Sequence, residues 1–199
     1  MDDIVRQAMA KWPNVPHCTG WLALDARGAW RMRDEASQRA GTPGDKLTNA
    51  ALVGFINRNY LPDERGCWFF QNGPQRVFVN LEATPFIART DPSQGFVLHT
   101  GQPAGDPDQV FLTGTGAIVL RFEAGVAQLD DRDVAQLLQG LERDGNPVTD
   151  EELMGWLEGG AGTLALRWGG RLLGVERLEA DEMPRRFGFV QRPDQLAPE

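Results

Sequence analysis

The sequence predicts an α+β protein with mostly antiparallel sheets and a few short helices. Short apolar runs bounded by glycine and proline are more numerous than stripes of apolar residues at helical spacing. The helices do not alternate regularly with the strands, as a doubly wound parallel sheet would require. The composition, 41% hydrophobic and 24% charged, is that of an ordinary globular chain and not of a disordered one.

The distribution of charge suggests two lobes. Residues 1–92 contain 11 Lys and Arg against 10 Asp and Glu, a net charge of +1, whereas residues 93–199 contain 9 against 18, a net charge of −9. A cluster of turn-forming residues at 91–94 coincides with this shift. We therefore expect an N-terminal lobe over 1–92 (helix, hairpin, helix, hairpin) and an acidic C-terminal lobe over 93–199. One continuous domain is the alternative.

The first half of the predicted N-terminal lobe begins with an amphipathic helix over residues 2–11, which Pro13 limits. Two apolar-rich runs then flank the turn sequence at 25–28, which predicts a β-hairpin over 21–32. The polar stretch 33–46 contains three glycine and proline residues and predicts an exposed loop.

The second half of this lobe repeats the order of helix and hairpin. Thr48 is a candidate N-cap for a helix that ends near Tyr60. The segment 66–82 predicts a second hairpin, because Asn72-Gly73 is a dipeptide that tolerates positive φ at both central positions of a tight turn.

The sequence of the C-terminal lobe predicts two helices and several strands. One helix begins at Asp130 or Asp131, and the other begins at Thr149, which forms a capping box with Glu152. We expect a frayed tail from Pro193. The predicted strands cover 95–99, 110–113, 117–123, 164–168, 171–178 and 187–190, with the turn of one hairpin at 169–170.

Several kinds of site are disfavoured by spacing. His17, Cys18, Cys67 and His99 lack the close pairs with short spacers that a zinc site requires, so we expect no metal. The glycines at 114 and 116 precede residues that favour a strand, whereas a dinucleotide loop opens a helix. No G-x-S-x-G element supports a serine nucleophile. We therefore expect no cofactor.

A cluster of polar and aromatic residues between 57 and 82 is the candidate ligand site. Amide and guanidinium groups bind planar polar ligands, and aromatic side chains add contact area. The alternative is a hairpin whose amides satisfy local backbone groups. Gln75 and Arg76 should point to opposite faces of their strand. The residues predicted to bind a ligand are Arg58, Trp68, Gln71, Gln75 and Arg76.

Three segments carry a resemblance that extends over most of the chain and is densest over residues 12–90. They are GWLALDARGAWRMRDE, GDKLTNAALVGFINRNY and GCWFFQNGPQRVFVNLEATPFIART. The chain resembles a bacterial family of hypothetical proteins that is catalogued as a domain of unknown function. The resemblance implies a cytoplasmic protein of a Gram-negative bacterium, and it brings no activity, cofactor or catalytic residue.

These observations favour a non-enzymatic cytoplasmic binding or regulatory module whose specific function is unknown. The alternative is a small-molecule enzyme with its site around residues 57–82, assisted by His99 or Glu82. A cytoplasmic location is expected because the chain opens without a basic, apolar leader and contains only two cysteines. The expected partner is a small molecule or a protein, and neither a membrane nor a nucleic acid.

The charge distribution yields a direct prediction about nucleic acids. An acidic surface repels a phosphate backbone, so neither duplex nor single-stranded probes should shift in a low-salt gel-retardation experiment. Micromolar, salt-sensitive binding that maps to residues after Ser93 would refute this prediction.

Overall fold

The computed structural model describes residues 1–196, and this part of the chain divides into two compact units. Met1–Pro85 and the segment from Gly188 form the first unit, and Phe86–Phe187 form the second. The division falls after Pro85 and not at 92/93, because the turn cluster at 91–94 joins two paired strands of the second unit. The last residues of the expected 93–199 lobe, 197–199, lie outside the described residues.

The first unit contains a six-stranded sheet and three α-helices. The helices are α1 (Asp3–Lys11), α2 (Glu35–Ala40) and α3 (Ala50–Arg58). The strands are β1 (Cys18–Leu24), β2 (Trp30–Met32), β3 (Asp45–Lys46), β4 (Tyr60–Pro62), β5 (Trp68–Asn72) and β6 (Gln75–Leu81). Their order is β3-β2-β1-β6-β5-β4, in which β1 and β6 are parallel and the other neighbours are antiparallel.

Both predicted hairpins of this unit are confirmed, whereas the predicted loop over 33–46 is wrong in part. The loop contains α2, because the Asp34 side chain accepts a hydrogen bond from the Ser37 amide (2.8 Å) and caps the helix. The cap of α3 is Asn49 and not Thr48, since the Asn49 side chain accepts from the Leu52 amide at 3.0 Å.

The turn of the second hairpin lies one residue later than predicted. Asn72 pairs with Gln75, so the two central residues are Gly73 and Pro74. Gly73 has a φ of 57°, and Asn72 does not have a positive φ. Glycine at the first central position is what a type II′ turn requires, and the negative φ fixed by proline suits the second.

The second unit contains a nine-stranded sheet and three α-helices. The helices are α4 (Asp131–Leu138), α5 (Asp150–Leu157) and α6 (Met183–Phe187). The strands are β7 (Phe86–Asp91), β8 (Gly95–Leu98), β9 (Gln109–Thr113), β10 (Ile118–Phe122), β11 (Gly125–Leu129), β12 (Leu141–Arg143), β13 (Asn146–Pro147), β14 (Leu164–Trp168) and β15 (Arg171–Leu178). Their order is β13-β12-β14-β15-β9-β10-β11-β7-β8, with β7/β11 and β9/β15 parallel.

The α+β class with mostly antiparallel sheets is therefore confirmed. The capping box at Thr149 is also confirmed, and so is the hairpin across 169–170. A strand over 187–190 is wrong, because α6 runs to Phe187 and Gly188 then adopts a positive φ of 67°. The tail is ordered further than predicted, since Pro193–Gln195 forms a 3₁₀-helix.

Each unit has its own buried apolar residues. In the first unit they include Leu24, Trp30, Ile56, Phe69 and Val79, and in the second they include Ile87, Phe96, Phe111, Leu120 and Phe122. No helix within residues 1–196 is long and apolar enough to cross a lipid bilayer.

The Gly73 turn can be tested by a pair of glycine substitutions. A Cβ at Gly73 would meet only the Ala8 Cβ, at 3.8 Å, so Gly73→Val should act through the backbone rather than through a clash with neighbours. We expect a loss of about 1 kcal/mol or more, because a β-branched residue disfavours positive φ. Denaturant unfolding measures the loss.

The matched control is Gly114→Val, which is equally open but lies outside the positive-φ region. An equal loss of stability in both variants would refute the turn assignment.

A buried carboxylate fixes the start of α4. Asp130 is 0% exposed, and its side chain accepts hydrogen bonds from the Arg132 amide (3.1 Å) and the Arg132 Nε (2.8 Å). Burial raises the pKa of this carboxyl, but the hydrogen bonds and charge of Arg132 outweigh burial and lower the pKa from 3.8 to about 2. The ionised form of Asp130 is therefore the form that stabilises the fold.

The stability that Asp130 contributes should depend on pH in the acid range. Because its pKa is lower in the folded than in the unfolded chain, the contribution is complete above about pH 4 and is lost as the pH falls towards 2. Asp130→Asn should be less stable at pH 7, and its free energy of unfolding should fall less steeply between pH 4 and 2. Urea denaturation across this range measures both effects.

Asp108→Asn is the control, since the exposed Asp108 side chain accepts no hydrogen bond from the described residues. An acid dependence of Asp130→Asn identical to that of the wild type would contradict the role of Asp130.

Candidate functional site

Two of the five predicted site residues lie side by side. Gln71 on β5 pairs with Arg76 on β6, so both side chains are on one face of the sheet. They line a cavity of about 310 Å³, which we call the glutamine pocket. Its full lining is Met9, Trp12, Pro13, His17, Gln71, Pro74 and Arg76.

Only some of the polar groups in the glutamine pocket form hydrogen bonds with other described residues. Gln71 is 1% exposed, and its Nε2 donates to the Gly73 carbonyl at 2.9 Å. Its Oε1 accepts no hydrogen bond from the described residues. The Arg76 guanidinium lies over the Phe69 ring, 4.7 Å from its centroid. This stacking holds the guanidinium in place without occupying its N–H groups.

The other three predicted residues are engaged elsewhere. The Arg58 Nε pairs with Asp2 at 3.3 Å. The Gln75 side-chain Nε2 donates to the Pro16 carbonyl at 3.0 Å. Alternation along β6 points this side chain away from that of Arg76. The ring of Trp68 packs against that of Tyr60, with centroids 4.7 Å apart. None of these three lines the glutamine pocket.

A second polar cavity of the first unit contains more charge. It has a volume of about 290 Å³, and we call it the arginine pocket because three arginines line it. The strand register aligns Arg31, Ala23 and Asn80 in one row across β2, β1 and β6. The full lining is Ala23, Leu24, Asp25, Arg31, Arg33, Gly41, Thr42, Pro43, Asn80, Leu81, Glu82 and Arg192.

Asp25 fixes one side of the arginine pocket. Its Oδ1 accepts from the amides of Arg27 (3.0 Å) and Ala29 (2.8 Å) in the hairpin turn. Its Oδ2 accepts from the Arg31 Nε at 2.8 Å and from a terminal nitrogen of the same guanidinium at 2.8 Å. Glu82 is fixed by fewer hydrogen bonds than Asp25: one of its oxygens accepts from the Ala26 amide at 3.0 Å. The turn thus orients one guanidinium and one carboxylate.

The floor of the arginine pocket contains buried polar groups. Arg33 is 6% exposed, and its Nε donates to the Thr42 carbonyl at 3.1 Å. Asn80 is 5% exposed, and its Nδ2 donates to Asp194 at 2.8 Å. The Asn80 Oδ1 accepts no hydrogen bond from the described residues. A buried acceptor of this kind is rare in proteins and is a candidate for contact with a ligand.

The segment from Gly188 completes the arginine pocket. It is held to the sheet by the Leu81 amide, which donates to the Gln191 carbonyl at 2.8 Å, and by a bridge between Cys67 and Val190. Arg192, which lines the pocket, donates to Asp194 at 3.1 and 3.2 Å.

Asp194 is a charged partner shared by the pocket's polar groups. Burial raises the pKa of its carboxyl, but hydrogen bonds from Arg192 and Asn80, with the charge of Arg33, outweigh burial and lower that pKa. Arg33 lies 3.8 Å from Asp194. Asp194 is therefore an anion at neutral pH and anchors the side chains around it.

The sequence offered only a weak signal for the arginine pocket. Arg31 and Arg33 are separated by one residue at the end of a strand, a spacing that places both on one face. Arg192 could not be joined to them, because it lies far along the chain, directly before the tail that is predicted to fray from Pro193.

A third cavity of about 290 Å³ is lined almost entirely by apolar side chains. Leu22, Met32, Phe70 and Val77 contribute from the sheet, and Leu52 and Ile56 contribute from α3. It has no charged lining residue, and Asn72 contributes the one amide side chain of its lining.

The residues considered for a metal do not form a site. No three His, Cys, Asp or Glu side chains within residues 1–196 are grouped so that they could hold a metal ion. Cys18 and Cys67 are both free thiols. Burial raises the pKa of the Cys18 thiol, which lowers its reactivity as a nucleophile at neutral pH.

Comparison with known proteins identifies a fold and a family. No curated protein matches the chain. A crystal structure of a DUF1285 family protein from Silicibacter pomeroyi DSS-3 is 14% identical, covers 87% of this chain and 94% of its own, and has a TM-score of 0.50. A DUF1285 family protein from Shewanella baltica OS155 is 17% identical over 58% of this chain and 88% of its own, with a TM-score of 0.40.

The family match agrees with the resemblance found in the sequence. Neither neighbouring structure carries an activity in its description, and at these identities the first shows a related fold alone. The family model covers residues 1–194, nearly the whole chain. The chain belongs to the family described as a protein of unknown function (DUF2946).

Proposed function

We propose that this protein is a binding module for a small anion that also carries a hydrogen-bond donor, and that the arginine pocket is its site. The observation that carries the proposal is the convergence of three guanidinium groups on one cavity beside the unpartnered Oδ1 of Asn80. The volume, about 290 Å³, is at the lower end of the range for small-molecule pockets.

The guanidinium groups support binding of an anion. Arg31 bonds to Asp25 through Nε and one terminal nitrogen, which leaves the other without a hydrogen bond to the described residues. Arg192 uses its Nε and one terminal nitrogen on Asp194 in the same way. The remaining N–H groups suit a carboxylate or a phosphate, both of which form strong charge-assisted hydrogen bonds with arginine.

The acceptors of the pocket support a donor on the same ligand. The buried Asn80 Oδ1 accepts no hydrogen bond from the described residues, and the exposed Glu82 carboxylate adds a further acceptor to the lining. Leaving a buried acceptor unpaired costs about 1–3 kcal/mol, which a hydroxyl or amino group of a ligand would recover. A hydroxy acid or a phosphate ester of a polyol has both kinds of group.

The residue types of the pocket favour binding over nucleophilic catalysis. Its lining contains no Ser, Cys, His or Lys. Of the two acid–base residues considered for an enzyme, Glu82 lies in this pocket and His99 belongs to the second unit. The His99 Nδ1 accepts a hydrogen bond from the Ile87 amide at 3.2 Å, which occupies one of its two ring nitrogens.

The setting of this module is part of the same proposal. We place the protein in the cytoplasm of a bacterium, where a reducing environment suits its two free thiols. A nucleic acid is not the proposed partner, because the chain has a net charge of −8 and the arginine pocket is small.

Isothermal titration with malate and with glycerol 3-phosphate tests the proposal, since each combines an anion with a hydroxyl group. At least one should bind saturably, while uncharged glycerol should not. A concentration of one hundred times the dissociation constant would raise the stability of the native state by about 2.7 kcal/mol. A thermal melt of the full chain would show this as a higher midpoint.

A pair of arginine variants locates the site. Arg192→Gln should weaken binding about 10- to 100-fold, because a hydrogen bond to a charged group contributes about 1.5–3 kcal/mol. Arg185→Gln is the matched control, since Arg185 pairs at 3.4 Å with an exposed glutamate of the second unit. Absence of binding by both acids, or equal affinity in both variants, would overturn the proposal.

A further inference from the structure

We propose that the glutamine pocket is a second, independent ligand site, and that it binds an acylamino acid group, an amide N–H next to a carboxylate. This group is found at the carboxyl end of a peptide and in free N-acylated amino acids. The proposal rests on the buried, unpartnered Gln71 Oε1 and on Arg76, which pairs with Gln71 across the hairpin and lines the same cavity.

Gln71 requires a hydrogen-bond donor from the ligand. The side chain is nearly completely buried, and its amide orientation is fixed because Nε2 donates to the Gly73 carbonyl at 2.9 Å. Oε1 is therefore presented as an acceptor, and it has no donor among the described residues. An amide N–H satisfies such an oxygen without bringing a charge into the buried region.

Arg76 requires an acceptor, and an anion suits it best. No side chain of the described residues forms an ion pair with it. Its guanidinium is positioned by the Phe69 ring, so a carboxylate would meet a preorganised planar fork. No acidic residue lines the pocket to compete for the guanidinium.

The spacing of the two groups selects this ligand class. Residues that pair across antiparallel strands have Cβ atoms about 4.5–5.5 Å apart, so the side chains of Gln71 and Arg76 start from adjacent positions and line the same cavity. In an acylamino acid the amide N–H and the carboxylate are attached to the same carbon atom. A single residue of ligand therefore reaches both groups.

The walls of the pocket would contact the side chain of that residue. Trp12 is 51% exposed, and Met9, Pro13 and Pro74 add apolar surface beside it. The rings of His17 and Phe78 form a T-shaped pair with centroids 5.8 Å apart. These walls suit an apolar or aromatic side chain.

The probe for this site is N-acetylphenylalanine, measured by isothermal titration against the full chain. Two analogues isolate the two contacts: N-acetylphenylalaninamide lacks the carboxylate, and 3-phenylpropionate lacks the amide N–H. We expect saturable binding of the probe and at least tenfold weaker binding of each analogue. The tripeptide Ala-Ala-Phe distinguishes the sources, because only a site open to a peptide chain binds it as tightly as the probe.

Variants of Arg76 identify the pocket that binds the probe. Arg76→Gln should weaken binding at least tenfold, whereas Arg76→Lys, which retains the charge, should weaken it less. Arg121→Gln is the matched control, because Arg121 is an exposed strand arginine with no ion pair among the described residues. Gln71→Met should also weaken binding of the probe, with the melting temperature showing that the variant is folded.

The outcome is independent of the arginine pocket. Arg192→Gln should bind the probe with wild-type affinity, and neither malate nor glycerol 3-phosphate should compete with it. The inference is overturned if the probe does not bind, if both analogues bind as tightly, or if Arg76→Gln and Arg121→Gln bind the probe equally.

Discussion

The parallel pairing of β1 with β6 is the constraint on which the first unit depends. It joins the two hairpins into one sheet, with Leu22 opposite Val79 and Leu24 opposite Leu81, and all four side chains are buried. The same register places Ala23 beside Asn80. Alanine is the smallest residue of a row that also contains Arg31. Its short side chain leaves space between its neighbours, and the arginine pocket lies there. Loss of this register would separate the two hairpins and the polar groups that they contribute.

The elements that the sequence predicted well are those whose signals are local. The hairpins around 25–28 and 169–170 and the capping box of α5 depend on residues within a few positions of one another. The turn at Gly73 lies one residue later than predicted. Pro74 occupies its second central position, where an asparagine-glycine turn places glycine. The helix α2 differs from the loop predicted there, since its polar sequence leads into Gly41 and is typical of a loop, while Asp34 caps its start.

The two polar cavities differ in how far they could be predicted. Gln71 and Arg76 are neighbours across one hairpin, so a local pattern brought them together. The arginine pocket requires Asn80 to meet Asp194, a separation of 114 residues in the chain. A parallel strand pair and a returning segment are both non-local, and no turn or capping signal encodes them. The sequence therefore predicted two residues of the glutamine pocket, which has one arginine, and none of the three arginines of the arginine pocket.

The chain leaves the first unit after Pro85 and returns to it only at Gly188, so the second unit is an insertion within the first. This topology sets an order of events on the ribosome. The second unit is contiguous, and all its strands are available before the first unit has its final segment. Arg192 and Asp194 are among the last described residues to be synthesised, and the arginine pocket has no complete wall until they have left the exit tunnel. In a nascent chain the arginine pocket is thus complete only after the segment from Gly188 has followed the whole second unit out of the ribosome.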